Sequence, residues 1–168
     1  MSTFAEGKEW SDKYIPEIKK ILGLHLIQVA PLKDDCELNT DMLVPPMIRV
    51  AQRVRNQKFW EDRDEFTIRF QLPSGSLTEW DKLIAGHGDY FFYGHAGIND
   101  TLNGYTILNL KLFRAWCQSY FDKHRMWPGR KQSNPDGTSF RIFDWNDLPK
   151  EMIVAQWFND KSWLEGKK

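Results

Sequence analysis

Residues 64–96 constrain the fold of this chain more than any other stretch. They read DEFTIRFQ, LPSGS, LTEWDKLIAGHG and DYFFYGHA in succession. The first segment alternates: Phe66, Ile68 and Phe70 share one side, and Glu65, Thr67, Arg69 and Gln71 share the other, as a half-buried strand requires. Pro73-Ser74-Gly75 supplies a turn, and Ser76 or Thr78 supplies an N-cap for a short helix containing Trp80, Leu83 and Ile84. Gly86 and Gly88 stop that helix. The last segment has aromatic residues on both faces, which predicts a central strand buried on both sides. A strand, a helix and a doubly buried strand in so little chain predict an α/β domain built on a central sheet.

The flanking sequence extends this pattern. Trp10, Tyr14, Ile18, Ile21 and Leu22 lie at helical spacing over residues 9–22, with Pro16 in the first turn, a regular start near Ile15 and Gly23 as the stop. Residues 24–30 (LHLIQVA) read as a buried strand, and residues 40–44 as a short strand halted by Pro45-Pro46. Residues 47–55 form the next expected strand. Ile48, Val50, Gln52 and Val54 face one way, and Arg49, Ala51, Arg53 and Arg55 the other. Beyond the central stretch come a strand over 105–110, an amphipathic helix over 111–124 and a basic, turn-rich, mobile loop over 129–138. A strand over 139–145 and a final helix from Asp147 to about Phe158 complete the chain. The expected architecture is therefore a single α/β domain over residues 1–168, with a central mixed β-sheet flanked by helices. Its core spans 9–123, and a strand–helix extension spans 139–158.

Composition narrows the classes. Eight Trp and eleven Phe are many for 168 residues; such residues usually fill cores, and an interface is the alternative place for part of them. Lys plus Arg equals Asp plus Glu at 23 each, which argues against a strongly basic nucleic-acid clamp but leaves room for a local patch. Cys36 and Cys117 have no metal spacing and are expected to be reduced. No apolar run approaches about 18 residues, so no membrane partner is expected, and the expected location is cytoplasmic.

The polar faces of three strands hold the candidate chemistry. Asp41 lies on the strand before Pro45; Arg49, Arg53 and Arg55 share one face of the next; Glu65, Thr67 and Arg69 share a face of the third. If these strands pair as a meander, two carboxylates and several guanidiniums meet. Such carboxylates hold Mg²⁺, and a neighbouring cation stabilises a transferring phosphate. The same face is also what an ordinary solvent-exposed sheet presents, with Arg–Glu pairs across strands.

A leading helix bearing Glu17, a strand with Asp41, a later strand with Glu65-Phe66-Thr67, then a helix and a further strand resemble the PD-(D/E)XK nuclease-like superfamily over roughly residues 9–123. The resemblance implies a restriction-endonuclease-like core and a catalytic set of Glu17, Asp41, Glu65, Arg53 and Arg69. Asp41 and Glu65 would be the Mg²⁺ ligands. Thr67 stands at the family's lysine position, with Arg69 or Arg53 as substitutes. The implied function is that of a nucleic-acid-associated protein, either a Mg²⁺-dependent nuclease or a degenerate relative that binds without cutting.

The segment RVRNQKFWEDR independently points to DNA or RNA. Arg55, Lys58 and Arg63 can follow phosphates, and Phe59 and Trp60 can stack on bases; Arg130 and Lys131 form a second basic cluster. Of the histidines, His87 and His95 are expected at opposite ends of the aromatic strand in structural roles. His25 is expected in the core, and His124 at a helix C-terminus that suits a cation. The competing class is a non-catalytic interaction factor, an accessory protein of a phage, prokaryote or mobile element that binds a host protein through exposed aromatics.

Overall fold

The computed structural model describes residues 9–29, 31, 42–43, 47–97 and 100–159. In chain order its elements are α1 (Ile15–Leu26), β1 (Gln28–Val29), β2 (Met42–Leu43), β3 (Val50–Arg55), β4 (Glu65–Gln71), α2 (Glu79–Ile84), β5 (Tyr90–Ala96), β6 (Leu102–Asn109), α3 (Leu110–His124), β7 (Arg130–Ser133), β8 (Ser139–Asp144) and β9 (Ile153–Phe158). A 3₁₀ segment, Gln57–Asp62, links β3 to β4, and two short 3₁₀ turns precede β9.

The aromatic run takes β3 as its parallel neighbour, while the alternating run pairs with β8. β3 and β5 pair in parallel, with Val50 opposite Tyr90 and Arg55 opposite His95. β6 pairs antiparallel with β5, and β9 pairs antiparallel with β6, giving a mixed four-stranded sheet in the order β3-β5-β6-β9. Pleating sends alternate residues to opposite faces. Val54 and Phe92 pack with Tyr14 and Ile18 of the α1 segment on one side. Phe91 and Tyr93 pack on the other side with β4, β8 and α3. β5 is thus buried on both faces, as its aromatic pattern predicts.

The second sheet is antiparallel, in the order β4-β8-β7. Its inner face places Phe66, fully buried, between two rings: Phe143 stacks at 4.9 Å and Trp145 at 4.1 Å between centroids. Phe91, Tyr93 and Phe113 meet the same ring from the first sheet and α3. Each such aromatic pair adds about 0.5–1.5 kcal/mol beyond area burial. Phe66 therefore ties both sheets and α3 into one core.

Four sequence expectations are corrected. β3 and β4 do not join in a meander, because β3 takes β5 as partner and β4 takes β8. α1 continues through Gly23 to Leu26, where a strand was expected, and only Gln28–Val29 pair with β2. His25 consequently lies on the helix and meets the Tyr105 hydroxyl at 2.9 Å. The expected final helix is two 3₁₀ turns followed by strand β9, which hydrogen-bonds to β6. Residues 130–133 are not loop but the first strand of a hairpin with β8.

Gly129 makes the entry to that hairpin feasible. Its φ of +82° is unfavourable for a side chain, and a Cβ there would stand 2.8 Å from the Phe143 ring and 2.9 Å from the Ile142 carbonyl oxygen. Cys117 is fully buried, and burial pushes its thiol up to about 12. It remains a protonated, reduced core residue; Cys36 lies outside the described residues. Among the described residues, no helix is long and apolar enough to cross a membrane.

Candidate nucleic-acid interface

Period-two alternation on β4 and β8 gives the second sheet an outer face quite unlike its inner one. Cross-strand register builds it in rows: Glu65 opposite Asp144, then Thr67–Ile142–Arg130, then Arg69–Phe140–Gln132. Arg53 and Arg55 reach this face from β3, on the side of the first sheet that also carries Tyr93. The arginines of β3 and the polar face of β4 therefore do meet, but across two sheets rather than along one.

Their meeting point is the Thr67 hydroxyl. Arg53 Nη1 donates to Thr67 Oγ1 at 3.1 Å and to its carbonyl oxygen at 3.1 Å, and Arg55 Nη1 donates to Oγ1 at 3.2 Å. A hydroxyl has two lone pairs and one proton. Two guanidinium donors fill the lone pairs, so the Thr67 proton goes to the Tyr93 hydroxyl oxygen, 3.3 Å away. Tyr93 then has its own O–H left to donate. Two like charges on one neutral oxygen repel each other, and the carboxylate anchored there is Glu79. Its Oε2 accepts from Arg53 Nη2 at 2.6 Å and from the Arg69 backbone N–H at 3.1 Å.

Beside this cluster is a cavity of about 480 Å³. It is lined by Thr67, Phe140 and Gln132 of the second sheet's outer face, by Asn134 beyond β7, and by Tyr93, Arg55 and Phe59. The Arg55 guanidinium lies 4.1 Å from the Phe59 ring centre, a cation–π contact that holds it in place. Glu65 and Arg130 also line the cavity, with Arg130 Nη2 donating to both carboxylate oxygens at 3.2 and 3.3 Å. That pair is half open to solvent and contributes little to stability. Arg53 lines a second cavity, of about 500 Å³, together with Arg69, Glu79, Leu77 and His87.

The remaining predicted residues fall elsewhere. Glu17 accepts from the Leu102 backbone N–H at 3.1 Å on the α1 side of the first sheet, away from the face that carries Glu65. Asp41 and the Trp60 side chain lie outside what the structure describes. Lys58 sits 5.0 Å from the Phe59 ring centre, beside the cavity wall, and Lys131 lies 5.6 Å from the Phe70 ring centre, on the inner-face side of the hairpin. Arg63 adds positive charge near His95. Burial, then the Arg55 and Arg63 charges, lower the His95 pKa to about 4, so it is neutral at pH 7. Among the described residues, no group of three His, Cys, Asp or Glu side chains could hold a metal ion.

Sequence reasoning missed Tyr93, Gln132, Asn134 and Phe140. The signal for the last three is the turn-forming SNPDGT between RKQS and SFRIF, which marks a hairpin and so sets Gln132 opposite Phe140. No family model, curated protein or solved structure matches this chain.

Proposed function

We propose that this chain binds nucleic acid, with the Arg53–Arg55 cluster and the adjoining cavity receiving the sugar–phosphate backbone. One observation carries the reading: two guanidiniums converge on Thr67 Oγ1 at 3.1 and 3.2 Å. Glu79 already compensates Arg53 at 2.6 Å, so an incoming phosphate would be held chiefly by Arg55, in charge-assisted bonds about twice as strong as neutral ones. Arg130 lines the same cavity, and its exposed bond to Glu65 is weak enough for a phosphate oxygen to compete with it.

The binding role is favoured over cutting. In the PD-(D/E)XK resemblance Glu65 would be a Mg²⁺ ligand, yet its carboxylate is engaged by Arg130. Thr67, at the lysine position, acts as an acceptor for two arginines. A Mg²⁺-dependent nuclease would need Glu65 to leave Arg130 and share a cation with Asp41. The protein-partner reading has Trp157 in its favour, an aromatic 48% exposed on edge strand β9.

The test is fluorescence anisotropy with labelled single- and double-stranded DNA and RNA at low salt, followed by incubation with Mg²⁺ or Mn²⁺ and then EDTA. Wild-type protein should bind, and Arg55→Ala should weaken binding by about tenfold, the loss of one or two charged contacts. The oligonucleotides should stay intact. Metal-dependent cleavage abolished by Asp41→Ala would replace this reading with the nuclease. Absence of binding to every form would leave the protein-partner reading ahead.

A further inference from the structure

From the geometry of the same cavity we infer, building on the nucleic-acid reading, that it takes a single unpaired nucleobase and that the protein selects single strands over duplexes. The volume of about 480 Å³ lies at the lower end of small-ligand pockets and suits one base with its sugar. Its interior combines flat apolar surface with a few fixed polar groups. Phe140 and Phe59 supply rings to the lining, and Ile142 completes its apolar part. The Tyr93 O–H and the Gln132 amide present donors and an acceptor, as a base edge requires.

The cations sit where a backbone would need them. Arg55 is held by the Phe59 ring and by Thr67 Oγ1, and Arg130 lies across β8 from Thr67. A nucleotide lying with its base on Phe140 therefore meets positive charge from both. Arg53 and Arg69 also approach the Phe140 ring, with their guanidinium carbons 6.0 and 5.8 Å from its centre. A sheet face that carries an aromatic among arginines is a stacking platform for unstacked bases. A base in a duplex is hidden between its neighbours and would have to be flipped out to enter, at a cost a single strand does not incur.

The experiment uses full-length protein and oligonucleotides bearing one 2-aminopurine, in single-stranded DNA, single-stranded RNA and the matching DNA duplex, with a nucleoside monophosphate as a fourth ligand. The expected result is binding of one or both single strands at least about tenfold tighter than the duplex, with 2-aminopurine fluorescence changing on binding as its stacking environment changes. Phe140→Leu keeps an apolar residue at the site and should remove both the preference and the fluorescence change. Gln132→Ala, on an exposed strand, should alter the ranking of homopolymers while leaving the salt dependence intact. Equal affinity for strand and duplex without a fluorescence change would overturn the base pocket and leave the phosphate reading standing. A monophosphate bound more tightly than the strand would overturn it in favour of a mononucleotide site. Failure of all four ligands to bind would overturn both readings together.

Discussion

His95 is a core histidine kept neutral chiefly by burial, with the Arg55 and Arg63 charges adding to the effect. Its ring is 2% exposed and its pKa is lowered to about 4, whereas an unfolded histidine titrates near 6.5. Between these values the unfolded chain binds the extra proton. The neutral buried ring therefore contributes stability that is fully present above about pH 6.5 and is lost as pH falls towards 4. The size is about 3 kcal/mol at most, from the difference between the two values. Urea unfolding measured in steps from pH 7 to 4.5 should show the midpoint falling, and His95→Gln should flatten that fall. A slope unchanged in the variant would assign the acid sensitivity elsewhere. Asp89, lowered by its bonds to Arg49, and Asp136, lowered by its bonds to Thr138, act in a different window, since their contributions persist until pH drops below about 3.8. At this scale the sequence was informative about faces and silent about partners. Alternation placed Arg53 and Arg55 together, and Glu65 with Thr67 and Arg69. That Thr67 would collect both arginines and Tyr93 depends on contacts 12 to 26 positions apart, which periodicity does not encode.

Among the elements, α2 anchors the cluster from behind. Thr78 accepts from the Asp81 N–H, and the Asp81 carboxylate accepts from the Thr78 N–H, so the helix begins with a reciprocal capping box. Glu79, the next residue, holds Arg53 and the Arg69 backbone. Thr78→Ala should cost about 1 kcal/mol of stability, read from urea unfolding. It should also weaken oligonucleotide binding, because loosening the first turn releases the carboxylate that positions Arg53. A variant with the stability loss and unchanged binding would separate the cap from the site. The short helix was legible because a capping residue, apolar spacing and terminal glycines agreed, although the choice between Ser76 and Thr78 as cap fell to the structure. The same clarity held for β4 and for the helix that became α3. It failed where local signals were weak and distant pairing decided. RKQS has no apolar alternation and reads as loop, yet it pairs along β8. Residues 153–158 carry few breakers and read as helix, yet β6 offers them an edge to complete. Gly23 reads as a stop, but α1 packs its apolar stripe on the sheet and runs through it.

Viewed as a whole, the molecule has no net charge, with 23 basic and 23 acidic residues, while one cleft is lined by Arg55 and Arg130 with Glu65, and a second cavity by Arg53 and Arg69 with Glu79. Long-range steering of a polyanion should therefore be weak, and affinity should come from the few phosphates that contact this cleft. Each phosphate neutralised on a single strand contributes about 0.7 to the slope of log K against log salt concentration. Contact with about three to five phosphates predicts a slope between about −2 and −3.5. Titrations over a range of salt concentrations measure it directly. Arg55→Ala should reduce the slope by somewhat less than one, because a single guanidinium is lost. A much steeper slope would require a basic surface several times larger than this cleft and would move the interface to other residues. A slope near zero, with binding retained, would mean that stacking and hydrogen bonding in the cavity hold the ligand and that the arginines orient it.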